Sequence, residues 1–108
     1  MSVKRIYFKT SIEQPKGYNV TLRSGEKHQQ LVGGDAIELW AADDQTKIGD
    51  AVVSFVTEFG DLESVPAWLL EKSFNPASRT HAGMHQALLE AYGPQYEDDV
   101  LTLVCYFV

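Results

Sequence analysis

The chain has 108 residues, of which 44% are hydrophobic and 22% charged, so it reads as an ordinary globular sequence with room for one domain over residues 1–108 and not for two. No apolar run approaches the ~20 residues of a membrane-spanning helix, and Met1–Phe8 lacks the continuous apolar stretch of a secretory signal; both predict a cytoplasmic protein with no membrane partner. The net charge of −6 argues against a chain whose main task is gripping a long phosphate backbone, but Lys4, Arg5, Lys9, Lys16, Arg23 and Lys27 against Glu13 and Glu26 give residues 1–31 a net +4, leaving −10 on residues 32–108.

In chain order, Val3 to Phe8 reads as a strand ended by the Gln14-Pro15-Lys16-Gly17 turn. Tyr18 to Arg23 alternates with period 2, placing Tyr18, Val20 and Leu22 on one face and Asn19, Thr21 and Arg23 on the other, as in a half-buried strand. Gly33-Gly34-Asp35 is a turn: Gly34 supplies a positive φ, and Asp35 bonds a nearby backbone N–H before the strand Ala36–Trp40 begins. These two residues are therefore assigned to structure rather than to ligand contact. After a polar turn at Asp43–Thr46, the β-branched and aromatic stretch Ala51 to Phe59 predicts a long central strand.

Gly60-Asp61 ends that strand, with Asp61 capping a short helical turn through Ser64. Pro66 suits the first turn of a helix over Ala67 to Lys72, which stops near Asn75-Pro76. From Thr80, a candidate cap, the period becomes 3.6 with Met84, Ala87, Leu88 and Ala91 on one stripe, and Gly93-Pro94 closes the helix. The final run, Val100 to Val108, is almost wholly apolar and predicts a strand buried on both sides or sealed into a barrel. Strands clustered first with helices inserted late favour an α+β fold, a barrel-like sheet with two or three inserted helices. Trp40, Trp68, Phe55, Phe59, Tyr92 and Phe107 are expected in the core.

Cys105 is the single cysteine and reads as a buried apolar residue. His81 and His85 share a helix face at i, i+4, but without a third ligand no metal is predicted. No phosphate loop or nucleophile elbow is present, and the pairs Asp43-Asp44 and Asp98-Asp99 read as solvated turn residues. No cofactor is implied.

Several of these features together resemble the ASCH branch of the PUA-like superfamily. They are Leu22-Arg23-Ser24-Gly25-Glu26-Lys27, similar to that family's Ser-Gly-x-Lys turn; Gly34-Asp35 entering Ile37-Glu38-Leu39; Ile48-Gly49-Asp50 entering a Val-rich strand; and Leu89-Glu90-Ala91-Tyr92-Gly93 shortly before the terminal strand. The resemblance spans residues 3 to 108. It implies a PUA-like β-barrel with a cleft between barrel and inserted helices, where the lysine of the turn, here Lys27, meets a nucleotide or another anionic ligand. Arg23, His28, Lys9 and Tyr18 are the residues expected to join it, cations holding phosphate and aromatics stacking on a base.

One branch of that family is similar to amidohydrolases acting on acyl-modified cytidine through a Lys, a Thr three residues later and a Glu before the last helix. Starting from Lys27 puts Gln30 at the Thr position; starting from Gly17 puts Asn19 and Leu22 at the two sites; the Glu falls on Ala77. A site without these groups loses its proton transfer, so that chemistry is not expected. The reading is thus a binding module for RNA, a nucleotide or a modified nucleoside. One alternative is an acidic module that meets a basic protein partner through Glu58, Asp61, Glu63 and Glu97-Asp98-Asp99. A second is a hydrolase of a modified nucleoside.

Overall fold

A computed structural model describes residues 4–108. The apolar segments become five strands, β1 (Lys4–Phe8), β2 (Tyr18–Ser24), β3 (Ala36–Ala41), β4 (Thr46–Phe59) and β5 (Leu101–Phe107), with two helices, α1 (Ala67–Leu70) and α2 (His81–Tyr92). They form one mixed sheet in the order β1-β3-β4-β5-β2, in which β1 and β3 are parallel and all other pairs antiparallel. The strand expected from Val3 begins at Lys4 among the described residues, and Val3 itself lies outside them.

The sheet is not a closed barrel, which corrects the expected architecture. Its two edge strands, β1 and β2, exchange no ladder; they are joined where the Arg23 side chain donates to the Tyr7 carbonyl at 2.6 Å. On its side away from β5, β2 meets the segment after α1, through Val20 N–H to the Lys72 carbonyl (2.8 Å), Phe74 N–H to the Val20 carbonyl (3.4 Å) and an isolated bridge to Ser73. A side chain thus stands where a closed barrel would have backbone hydrogen bonds.

Alternation along β5 separates two cores. Leu101, Leu103 and Cys105 face the helices with Val20, Leu22, Leu69, Leu70, Met84 and Leu88, while Val104 and Tyr106 face the inside of the curled sheet with Ile6, Phe8, Ile37, Leu39 and Val53. The terminal strand is therefore buried on both sides, as its composition required. Cys105 is a buried free thiol whose pKa is raised by burial. Among the described residues no helix is long and apolar enough to cross a membrane.

Local chemistry holds the connections. Gly34 has φ 93°, and the Asp35 carboxylate accepts from Val32 N–H at 2.9 Å and pairs with Lys4 at 2.8 Å. The Asp61 carboxylate accepts from Ser64 N–H and its hydroxyl, but Asp61–Ser64 itself remains a turn rather than a helical one. Thr80 caps α2 by accepting from Gly83 N–H at 3.0 Å, and Gly93, at φ 83°, ends it. The helix expected to reach Lys72 is the single turn α1: its Leu69 and Leu70 are buried, whereas Trp68 on its outer side is 60% exposed. Phe107 and Phe55 are also surface residues, because the two short helices leave part of the sheet face uncovered.

Candidate functional site

The alternation in β2 decides the site. Tyr18 to Arg23 was expected to turn Asn19, Thr21 and Arg23 to solvent; instead Asn19 and Thr21 are buried, and Arg23 is partly buried with them. Their cross-strand partners Tyr106, Val104 and Thr102 face the inside of the curled sheet, so the polar row of β2 faces inward too.

At the open side, where β1 and β2 fail to close, lies a cleft of about 360 Å³. Arg23 and Thr21 rise from β2, Phe8 and Lys9 come from the end of β1, Phe74 and Ser78 from the loop before α2, and Glu90 and Tyr92 from the last turns of α2. The Arg23 guanidinium lies over the Phe8 ring at 4.9 Å, donates through Nε to Thr21 Oγ1 at 2.9 Å, and stands beside the Tyr92 hydroxyl. Burial lowers its pKa, with the Tyr92 and Tyr106 hydroxyls opposing that shift. Among the described residues no carboxylate pairs with it: the ion pairs involve Lys4, Arg5, Lys47 and His85.

The wall opposite β2 is built by hydrogen bonds. Ser73 Oγ and Ser78 Oγ are 2.8 Å apart and both buried, Ser78 Oγ donates to the Asn75 carbonyl at 3.1 Å, and Arg79 Nε donates to the Ser73 carbonyl at 3.0 Å. The first turn of α2 is pressed against this wall so closely that a Cβ on Gly83 would stand 2.0 Å from the Ala77 carbonyl oxygen.

Of the expected ligand residues, the cleft takes Arg23 and Lys9. His28, partly buried on the 3-10 turn Lys27–Gln30, lies within electrostatic reach of Arg23; burial first, then the charges of Arg23 and Lys27, push its pKa down from 6.5 to about 4. Lys27 is exposed on the same turn and does not line the cleft, so the Ser-Gly-x-Lys turn borders the site rather than forming it. Tyr18 sits at the far end of β2, edge-on to Phe107 at 4.9 Å between ring centres, and is no part of the cleft. Thr21, Phe8, Phe74, Tyr92 and the two serines escaped the sequence reading, although Thr21 shares the period-2 face of Arg23.

The acids named in the sequence do gather. Glu58, Asp61 and Glu63 attend the end of β4, and Glu97 to Asp99 precede β5, whose Leu101 pairs with Phe59. Asp61, Glu63 and Glu97 line a second cavity with His81 and His85. There His81 Nε2 meets the Val65 carbonyl at 2.8 Å and His85 Nδ1 meets the Tyr96 hydroxyl; among the described residues no three ligating groups converge on a metal position. Compared with profiles of protein families, with curated proteins and with solved structures, the chain matches none.

Proposed function

We propose that the Arg23 cleft binds a nucleotide, or a nucleoside derivative bearing an anionic group, free or at the end of a single-stranded RNA, the ligand class the ASCH and PUA-like resemblance implies, with Arg23 in the part that the resemblance gives to Lys27. The observation that carries this reading is a partly buried guanidinium in the wall of the cleft with no ion-pair partner among the described residues. Taking a cation out of water is costly unless charge and hydrogen bonds are restored, and a phosphate or carboxylate restores both through paired N–H donors. Phe8, Phe74 and Tyr92 supply aromatic surface for a base, and a cleft of about 360 Å³ is of small-ligand size. One acid, Glu90, and one further cation, Lys9, stand among its lining residues.

The test is calorimetric titration with nucleoside monophosphates at low ionic strength. Binding that weakens steeply with added salt and is lost in Arg23→Met supports the reading; no heat at millimolar ligand, or equal affinity in that variant, removes it. A second reading, hydrolysis of an acyl-modified nucleoside, has one observation in its favour: Lys9, Thr21 and Glu90 line the same cleft although their spacing matches no motif. Release of the acyl group from such a nucleoside, lost in Thr21→Val, is the result that would make the site an enzyme's.

A further inference from the structure

A second surface follows from unequal strand lengths. β4 runs over Thr46–Phe59, but β3 covers it only as far as the Ala36–Val52 pair. Beyond that, Val53 alone is held, accepting from Gly34 N–H at 2.7 Å and donating to the Asp35 carbonyl at 2.8 Å. From Ser54 to Glu58 the strand pairs with β5 on one side, and among the described residues it has no backbone partner on the other. Gly33 packs against the Ser54 carbonyl, which a Cβ there would approach to 2.6 Å; beyond it, from Phe55 to Glu58, the N–H and C=O groups that alternate to this side are free over about 13 Å.

The edge opens into a groove of about 530 Å³ whose other wall is Gln29, Leu31, Val32 and Gly33. Val32 is 58% exposed and Phe55 38% exposed, so two apolar side chains stand uncovered where an added strand would lay its own. No proline or lysine interrupts Ser54–Glu58, although these are the residues by which edges are ordinarily blunted. A bulge between Val53 and Phe55 is the one irregularity.

We propose that Ser54–Glu58 of β4 receives an extended, lysine- or arginine-rich segment of a partner protein as an added strand. The charge follows from the groove's surroundings. Its lining contains no cation; Glu58 accepts a hydrogen bond from Gln29 at 2.9 Å and pairs with no base among the described residues. Asp61 and Glu63 continue from the strand's end, and Glu97 to Asp99 enter beside it through the Phe59–Leu101 pair. A second copy of this chain would set like charges against one another there, whereas a basic segment would find them complementary. Backbone pairing supplies affinity, and alternate side chains over Phe55 and Val32 supply register.

The experiment is a fluorescence-anisotropy titration of the full chain with a labelled ten-residue peptide of alternating lysine and valine, alongside its glutamate–valine counterpart, with hydrogen exchange read on both states. The proposal expects the basic peptide to bind at low salt at least tenfold more tightly than the acidic one, and the amides of residues 54–58 to slow in its presence. Glu58→Lys, verified as folded by circular dichroism, should weaken the basic peptide about tenfold while nucleotide binding at Arg23 stays unchanged. The proposal is overturned by no anisotropy change at low ionic strength, by equal binding of both peptides, or by protection confined to another strand. Protection of 54–58 in the free chain that rises with protein concentration would overturn it in favour of a second copy.

Discussion

Two arginines in this molecule each lie over an aromatic ring, and their surroundings differ in the one respect that matters for binding. Arg5 lies 4.2 Å from the centre of the Trp40 ring and donates to Glu38 at 3.2 Å; the same carboxylate accepts from the Trp40 indole and pairs with Lys47, which pairs in turn with Asp50. Arg23 lies over Phe8, and its identified acceptors are a neutral hydroxyl and a backbone carbonyl. The first cluster is electrically complete on an exposed face. The second is an incomplete ion pair inside a cleft, and an incomplete pair has most to gain from an incoming anion.

The largest effect should come from breaking that asymmetry directly. Charge-assisted hydrogen bonds contribute about 1.5–3 kcal/mol each, so Arg23→Met should lower nucleotide affinity by about 10- to 100-fold. Arg5→Met, tested in the same titration, should leave affinity within about twofold. Equal losses in the two variants would mean that net charge, and not the cleft, drives binding.

Next in size is a change to the wall rather than the cation. Gly83→Ala places a methyl group 2.0 Å from a backbone oxygen that cannot swing aside. Either α2 or the Ser73–Ser78 loop must shift. Overpacking of this kind costs about 1–3 kcal/mol, which a urea-unfolding midpoint reads directly, and nucleotide affinity should fall with it because the loop and α2 both line the cleft. An unchanged midpoint would show that helix and loop can move apart at no cost in stability.

These two residues also mark what was and was not legible beforehand. Gly34 with Asp35, the Thr80 cap, the Gly93 stop and the doubly buried β5 follow from local rules, because each depends on a few neighbouring residues. The parallel pairing of β1 with β3 depends on partners 33 residues apart, as in Lys4 with Ile37, and no local pattern encodes it. Burial of Thr21 and Arg23 was hidden for a related reason: a polar strand face ordinarily means solvent, and only the curl of the whole sheet turns it inward. Trp68 shows the converse, since hydrophobicity alone does not say that a one-turn helix has no second side to bury. The glycine turn points to Lys27, yet the cleft is set by Arg23 on the strand, four residues before it.

A smaller effect is set by pH. His28 in the folded state is held neutral, its pKa pushed down to about 4, while the unfolded chain takes up a proton near 6.5. The unfolded state therefore binds more protons between these values, and the stability contributed by neutral His28, complete above about pH 6.5, is lost as pH falls toward 4. In His28→Gln the urea midpoint should fall less steeply over that window than in the wild type. Saturating nucleotide should also flatten the wild-type profile, since an anion at Arg23 offsets part of the positive charge that resists protonation. Parallel profiles for the two proteins would show that folding does not hold His28 neutral in this window.

The smallest effect tests the completed cluster. Glu38 has its pKa lowered first by the hydrogen bond from Trp40, then by Lys47 and Arg5, at a partly exposed site where solvent still screens the charges. Glu38→Gln should shift the urea midpoint by less than Gly83→Ala does, and most of that shift should vanish in 1 M salt, where the screening length is about 3 Å. It should leave nucleotide affinity unaltered at every salt concentration, because both cations it releases lie outside the cleft lining. If removing this carboxylate strengthened nucleotide binding instead, Arg5 and Lys47 would have become competing anion sites, and the contrast between the paired and the unpaired arginine would rest on occupancy by Glu38 rather than on the shape of the cleft.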